Sequence, residues 1–173
     1  MNSLVVDSPA KLNLYLSVGN KRKDAYHNIV TLFERIDLKD RITLTTLKQD
    51  RIQLVSGSGR IPHDKRNLAY KAALLLKNRF NIRKGVKIKI DKYIPVSAGL
   101  GGGSSNAACT ILGLIRLWRI KISRDKMIKL GKELGADVAF FLHNISFASA
   151  EGIGDKIKAL KDIRHRFWHI LVV

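Results

Sequence analysis

The chain has 173 residues, with 32 Lys and Arg against 14 Asp and Glu, and a formal net charge of +18. This length suits one domain, or one domain and the start of another, and a hydrophobic content of 46% excludes a disordered basic tail. A single cysteine excludes an internal disulfide, and no Cys/His cluster indicates a zinc fold. The positive charge favours an anionic partner without choosing among nucleotide, nucleic acid and acidic lipid headgroups.

The apolar segments of the chain indicate neither export nor insertion into a membrane. No basic segment opens the chain, and Asp7 and Lys11 interrupt its first apolar run. The longest uncharged stretch, residues 93–115, is long enough to cross a bilayer, but it contains a proline, five glycines and three serines. That composition favours a turn leading into a helix. We therefore expect a soluble, cytoplasmic protein without a membrane partner.

The first third of the chain has the alternating pattern of strands. Apolar and alternating runs predict strands at 4–6, 10–18, 28–38, 41–47 and 51–56. A polar turn is expected at 20–26 and a loop at 57–66. In the second strand, one face would carry Leu12, Leu14 and Leu16, and the other Lys11, Asn13 and Tyr15.

A helical period then takes over. Helices are predicted at 67–80, 104–118 and 123–134, the last one capped by Ser123. A strand is predicted at 85–94. Its apolar side chains should be buried, which are Val86, Ile88 and Ile90. Its lysines should be exposed, which are Lys87, Lys89 and Lys92. A turn at Gly135 and strand-like segments at 145–150 and 168–173 follow. Strands first, then helices interleaved with a strand, indicate the α+β class.

The strongest feature is the glycine-rich segment at 95–108, PVSAGLGGGSSNAA, between a predicted strand and a predicted helix. Glycine has no Cβ, so its backbone can adopt positive φ and approach a ligand closely. Successive N–H groups of such a loop can cradle an anion, and the following helix N-terminus favours negative charge. Ser104 and Ser105 can cap this helix or bond a phosphate oxygen or a metal-bound water. A phosphate site and a plain turn before a core helix both fit the segment.

Two familiar nucleotide motifs do not fit it. No Gly-Lys-Ser/Thr follows at the spacing of a Walker A loop. The glycines at 99–103 also lack the acidic residue about 20 positions further on that a dinucleotide-binding fold places after its second strand.

Six short motifs occur in one order along the chain. They are PAKLNL at 9–14, DAYH at 24–27, NL at 67–68, the glycine segment at 95–108, GADVAFF at 135–141 and EGIG at 151–154. In this order and spacing they resemble the GHMP kinase superfamily, over residues 8–160. The resemblance implies an α+β fold like domain 2 of ribosomal protein S5, with a mixed sheet and packed helices. It also implies a left-handed βαβ crossover, contrary to the usual handedness.

The resemblance implies a kinase reaction as well. ATP would donate its γ-phosphoryl group to an alcohol, with Mg²⁺ as counter-ion. Tyr26 and His27 after an aspartate favour the members that phosphorylate the 2-hydroxyl of a methylerythritol carrying a cytidyl diphosphate, in non-mevalonate isoprenoid synthesis. Members that act on mevalonate or homoserine lack this pair here. Phosphoryl transfer depends on positioning and charge neutralisation, and a carboxylate can accept the proton of the attacking hydroxyl.

Site residues follow from the resemblance, motif by motif. Asp137 would be the catalytic base and Lys11 its partner, although alone they would be interpreted as a helix cap and a solvated strand lysine. Asn13, Tyr26 and His27 would line the substrate site, with both rings near the cytosine. No metal ligand is assigned. ATP would lie against Asn67 on its adenine side and against Pro95, Ser97, Ala98, Gly99, Leu100, Gly101, Gly102, Gly103, Ser104 and Ser105.

The chain departs from the pattern of the superfamily members at several points. Ala25 stands where a glycine is usual, so a glycine-dependent φ is at risk beside Tyr26. Asn106 replaces the usual aspartate, which puts any metal role there in doubt. Ala139 replaces a proline behind Asp137, and residues 143–148 lack the usual Gly-Gly pair.

Length is the largest departure. The resemblance covers an N-terminal, ATP-binding domain at 1–160, and residues 161–173 would be the start of a truncated C-terminal domain. We therefore expect an intact first domain with an open, incomplete site, whose activity in isolation the sequence leaves undecided.

Two further classes remain open. A basic nucleic-acid-binding module with an S5-like fold fits the charge, although Lys and Arg are spread along the whole chain instead of forming one stripe. A truncated, inactive or regulatory GHMP-type domain fits the length. Nucleic acid is the less favoured partner, and the sequence does not indicate an oligomeric state.

Several smaller features have plain interpretations. The basic turn at 21–23 is expected to be solvated. His165 and His169 are four residues apart but lack a third ligand nearby, so no metal site is expected. Cys109 should be a small buried hydrophobe. Three aromatic residues, Trp118, Phe140 and Trp168, are expected to lie in the core. They are not expected to stack on nucleic-acid bases.

Overall fold

A computed structural model describes residues 2–57, 59–160, 163 and 168–170. Within these ranges it has six strands and four helices, in the α+β arrangement that the sequence predicts. The strands are β1 Ser3–Lys21, β2 His27–Leu47, β3 Ile52–Ser56, β4 Gly85–Asp91, β5 Phe147–Gly152 and β6 Lys156–Ala159. The helices are α1 Leu68–Phe80, α2 Gly102–Leu117, α3 Arg124–Leu134 and α4 Ala136–His143.

The long strand β2 organises one mixed sheet. It is antiparallel to β1 along most of its length, to β5 through its first half and to β4 through its second half. β3 pairs with β4 in parallel and is joined to it through α1, which makes a βαβ unit. β6 completes the other edge beside β5. The glycine-rich segment follows β4 and therefore begins close to the central strand β2.

Several element boundaries differ from the predicted ones. The segments expected as separate strands at 4–6 and 10–18, and again at 28–38 and 41–47, are continuous because β1 and β2 pair across the polar residues between them. The helix α4 and the strand β6 were not expected. Residues 168–170 form no strand, and the rest of the segment predicted at 168–173 lies outside the described residues.

The apolar and polar faces of β1 do not correspond to a buried and an exposed side. Leu14 is 41% exposed and Leu16 is 52% exposed, whereas Lys11 on the supposedly polar face is 5% exposed. The β1–β2 register shifts after Asn13, and all residues from 14 to 28 are exposed. The hairpin thus extends past the helices, so its leucines have no layer to pack against.

Helix α2 is the centre of the helical layer. It packs against β1, β2, α1 and α4, and its residues 105–110 are all buried. β4 buries Val86, Ile88 and Ile90 completely and exposes Lys87 and Lys89, as predicted. Lys92 differs, because its side chain is only 7% exposed.

The remaining core assignments are mostly confirmed. Cys109 is buried, and its Sγ–H donates to the Asp7 carbonyl at 3.3 Å. Phe140 is buried and Trp118 packs against the core, but the prediction for Trp168 is wrong, since it is 99% exposed. Among the residues described, no helix has the length and apolarity needed to cross a membrane.

Candidate active site

The glycine-rich loop has an alternating backbone. Ser97, Gly99 and Gly101 have φ of 63°, 73° and 67°, whereas Ala98 and Leu100 between them have no positive φ. Alternation in the sign of φ can turn successive N–H groups towards one point, which is how the backbone of a loop forms an anion-binding concavity. The loop ends at Gly101, which is the N-cap residue of α2. The concavity and the helix N-terminus therefore adjoin.

The loop borders an open cavity of about 500 Å³. Every residue from 95 to 103 lines it, together with Ser104, Asn106, Lys92, Arg66 and Asn67. The first turn of α2 contains no acidic residue, so the positive end of the helix dipole is not neutralised there. The cavity suits an anion.

Asn67 forms the far wall of this cavity and is also a structural residue. It is the N-cap of α1, where its Oδ1 accepts from the Ala69 N–H at 2.9 Å. Its Nδ2 donates to the Pro62 carbonyl at 2.9 Å, which holds the preceding loop. It lines the same cavity as the glycine-rich loop, and its place beside the nucleotide stays a prediction.

Gly101 leaves little room for a side chain, and its positive φ also favours glycine. A Cβ on this residue would lie 3.0 Å from Lys11 Cγ and 3.2 Å from Phe141 Cε2. The Lys11 N–H donates to the Leu100 carbonyl at 3.0 Å, which fixes β1 to the loop. The end of the loop is therefore held between β1 and α4.

Lys11 and Asp137 meet beside this loop. Asp137 lies in the first turn of α4, and its Oδ2 is 3.7 Å from Lys11 Nζ. The Lys11 side chain is 7% exposed and that of Asp137 is 35% exposed, so the carboxylate faces solvent while the ammonium does not. Lys11 Nζ also donates to Asn13 Oδ1 and lies 4.9 Å from the centre of the Phe33 ring. The buried ammonium of Lys11 thus lies next to a carboxylate of Asp137 that solvent can reach.

The expected substrate residues are divided between two ends of the hairpin. Asn13 contacts Lys11, and its Nδ2 donates to Thr31 Oγ1 at 2.8 Å. Tyr26 is 61% exposed in the turn, and His27 begins β2. Lys11 pairs with Arg35 in the sheet, eight residues along β2 from His27, or about 26 Å of extended strand. The structure therefore brings Asn13 to Lys11 and leaves Tyr26 and His27 apart from them.

The two serines at the start of α2 differ in their roles. Ser104 lines the cavity, but Ser105 is fully buried, and its Oγ accepts from Ser8 Oγ–H at 2.8 Å. The side chain of Ser105 is thus turned away from the cavity, and its backbone N–H donates to the Gly101 carbonyl at 2.9 Å. The prediction that either serine caps α2 is wrong, since Gly101 is the N-cap and no side chain caps it.

The departures noted in the sequence have structural counterparts. Ala25 keeps the left-handed conformation, with φ of 67°, despite its Cβ. Asn106 is 3% exposed and bonds inward, donating to Ser8 Oγ and to Asp40 Oδ2 at 2.9 Å each. Ala139 is fully buried within α4.

Sequence reasoning missed Lys92 and Asp40. Lys92 was expected to face solvent on an alternating strand, but β4 ends at Asp91, so the alternation no longer applies to it. Asp40 was placed between two predicted strands, where an acidic residue would be solvated in a turn. Its burial follows from the continuity of β2, which local pattern alone does not reveal.

Comparison with known proteins agrees with this geometry. Residues 67–144 match the family model described as GHMP kinases N terminal domain. That range contains Asn67, the glycine-rich loop, α2 and Asp137. Residues 67–144 are therefore similar to the GHMP kinase N-terminal domain, and the chain has the α+β fold of that domain.

Two similar proteins carry the name of one enzyme. A protein from Bacillus cereus (strain B4264), named 4-diphosphocytidyl-2-C-methyl-D-erythritol kinase, is 49% identical over 91% of this chain and 54% of its own length. A crystal structure of 4-(cytidine 5'-diphospho)-2C-methyl-D-erythritol kinase is 39% identical, with a TM-score of 0.78 over 91% of this chain and 55% of that one.

A more distant structure shares the fold alone. Homoserine kinase from Cytophaga hutchinsonii is 21% identical, with a TM-score of 0.69 over 93% of this chain and 52% of that protein. The chain therefore spans about half the length of the relatives it matches.

Proposed function

We propose that this chain is the nucleotide-binding half of a kinase that transfers the γ-phosphoryl group of ATP to the 2-hydroxyl of 4-diphosphocytidyl-2-C-methyl-D-erythritol. The observation that carries the proposal is the accessible Asp137 carboxylate, paired with buried Lys11 beside an anion-binding loop. The names of the 49% and 39% identical relatives support the choice of substrate. Residues outside the chain would complete the substrate wall.

The nucleotide is held by backbone groups in this proposal. The N–H groups of residues 99–103 and the positive end of α2 neutralise the triphosphate, which carries most of the charge of the reaction. Loop glycines allow the phosphates to approach the backbone closely. Asn67, across the cavity, lies on the adenine side.

Proton removal is assigned to Asp137. Its partly exposed carboxylate accepts the proton of the substrate hydroxyl as the bond to phosphorus forms. Lys11, held by Asn13 beneath it, keeps a positive charge next to the site of transfer. That charge stabilises the carboxylate and the transferring phosphoryl group.

Mg²⁺ fits this site only as a companion of ATP. No group of three or more Asp, Glu, His or Cys that could hold a metal occurs in the described ranges, and Asn106 is bonded inward. Mg²⁺ commonly uses one or two protein oxygens together with phosphates and waters. Ser104, which lines the cavity, would hold it directly or through a water, and the ion would neutralise phosphate charge.

The proposal is tested with a coupled assay of ADP release. The 173-residue chain and a protein carrying a C-terminal domain like that of the relatives are each supplied with ATP, Mg²⁺ and the cytidyl substrate. Substrate-dependent ADP release that disappears in Asp137→Asn supports the proposal. ADP release with mevalonate or homoserine but not with the cytidyl substrate would contradict it.

A further inference from the structure

Asp40 is a buried acid that binds both ends of the glycine-rich loop. It is fully buried, and its Oδ1 accepts from the N–H groups of Tyr93 and Ile94 at 2.7 and 2.8 Å. Those residues immediately precede the loop. Its Oδ2 accepts from Asn106 Nδ2, in the second turn of α2, at 2.9 Å. One carboxylate thus fixes the chain before and after the loop.

The same carboxylate holds Lys92, one of the cationic residues that line the cavity. Lys92 Nζ lies 2.5 Å from Asp40 Oδ2, and its side chain is 7% exposed. A Cβ built on Gly102 would lie 2.9 Å from that ammonium, so the charge sits directly beside the first residue of α2. An ammonium is unfavourable at the positive end of a helix dipole. Asp40 provides the negative charge that keeps it there.

The identity of residue 106 is linked to that of residue 40. An amide at 106 donates one hydrogen bond to Asp40 Oδ2 and another to Ser8 Oγ. An aspartate at 106 would place two carboxylates in hydrogen-bond contact inside the core, and like charges there destabilise each other. Asn106 is therefore the partner that an ionised Asp40 requires.

We propose that Asp40 is a positioning residue that fixes both ends of the glycine-rich loop and the Lys92 ammonium relative to α2. It acts through Lys92, Asn106 and the two backbone N–H groups, and touches no ligand. Its effect on nucleotide affinity rests on the function proposed above, whereas its effect on the loop backbone does not.

The test compares three variants of the 173-residue chain with the wild type. Asp40→Asn has nearly the same shape but offers Lys92 and Asn106 a donor in place of an acceptor. The double variant Asp40→Asn/Asn106→Asp returns one carboxylate and one amide to the pair in exchanged order. Asp91→Asn is the matched control, since Asp91 pairs with Lys89 at the sheet surface. ATP affinity is measured by calorimetry, and amide exchange of residues 93–101 by NMR.

Asp40→Asn is expected to weaken ATP binding by about tenfold or more, since charge-assisted hydrogen bonds are lost. It should also speed exchange of the Tyr93 and Ile94 amides. The double variant should recover most of both properties, and Asp91→Asn should change neither. Unchanged exchange and ATP affinity in Asp40→Asn would overturn the proposal, as would a lower melting temperature alone with both properties intact.

Two further outcomes are also decisive. If the wild type binds no ATP, the proposed nucleotide site fails, while amide exchange still decides whether Asp40 anchors the loop. If Asp40→Asn does not fold, recovery of folding and amide protection in the double variant supports the coupling, and failure to recover overturns it.

Discussion

The ammonium of Lys11 lies 3.7 Å from the carboxylate of Asp137, and the two groups differ fivefold in side-chain exposure, at 7% and 35%. Lys11 comes from the first strand and Asp137 from α4. They meet because Gly101 lies between β1 and α4 without a side chain. The Lys11–Asp137 pair and the glycine-rich loop therefore pack against each other.

Asp137→Asn should lower the rate of phosphoryl transfer by at least about 100-fold, because the amide cannot accept the hydroxyl proton. The melting temperature should change little, since the carboxylate is partly exposed. ADP release is measured in the protein that carries a C-terminal domain. Asp125→Asn, at an exposed position in the first turn of α3, is the matched control. Equal rates in Asp137→Asn and Asp125→Asn would remove Asp137 as the base.

Gly101→Ala should abolish nucleotide binding and reduce stability, because its Cβ would contact Lys11 and Phe141 at 3.0 and 3.2 Å. Gly99→Ala separates packing from backbone strain. Gly99 has a similar φ of 73°, but nothing lies within 4 Å of its Cβ position. Both variants should lose about 1–2 kcal/mol from the left-handed conformation, and Gly101→Ala should lose more. Thermal melts that rank Gly99→Ala as the less stable variant would contradict this packing.

Ala25→Gly should stabilise the folded chain. Ala25 has φ of 67°, a conformation that costs a residue with a Cβ about 1–2 kcal/mol, whereas glycine adopts it freely. After the larger backbone entropy of glycine is subtracted, a gain of roughly 0.5–1 kcal/mol is expected in denaturant unfolding. Ala159→Gly, at an exposed strand position, is the control and should lose stability instead. A loss in both variants would show that the turn does not strain Ala25.

Cys109 should make the chain less stable at high pH. Burial raises the pKa of its thiol from 9.0 to about 11, so the folded chain keeps a proton that the unfolded chain releases. The stability from this difference is complete below pH 9 and is lost as the pH rises through 11, with a total of about 2–3 kcal/mol.

The measurement for Cys109 is urea unfolding from pH 8 to pH 11, for the wild type and Cys109→Ala. Lysines and tyrosines titrate in the same range, so the difference between the two pH profiles isolates the thiol. The wild type should fall more steeply. Parallel profiles would mean that the thiol is solvated in the folded chain. A thiol reagent at pH 8 should accordingly react slowly with native protein and rapidly in urea.

Patterns of local sequence predicted the parts of the fold that depend on local packing. The alternation in β4 correctly placed Ile88 inside and Lys87 outside, and Ser123 does cap α3. The alternation in β1 did not show that Leu14 and Leu16 would be exposed, because it identifies two faces without showing whether a helix covers either of them. It also missed α4, where apolar residues on all sides remove the helical period.

The candidate site was only partly accessible to sequence reasoning. Motif resemblance pointed to Lys11, Asp137 and the loop, and the structure brings these together. The roles of Asp40 and Lys92 were not predicted, because they depend on a contact between residues that are 52 positions apart in the chain. Tyr26 and His27 remain assigned by resemblance, since they lie at the exposed tip of the hairpin.

The glycine-rich segment contains two kinds of constraint. Residues 99–104 line the cavity, but residues 105–110 are all buried in the helical layer. The second half is maintained by packing whether or not a nucleotide binds. A descendant of this chain that lost its ligand would therefore keep the Ser-Asn-Ala-Ala portion, and Gly101 for its packing, while Gly99 would be free to change. Conservation of Gly99 would therefore distinguish a nucleotide-binding domain from one that has kept only the fold.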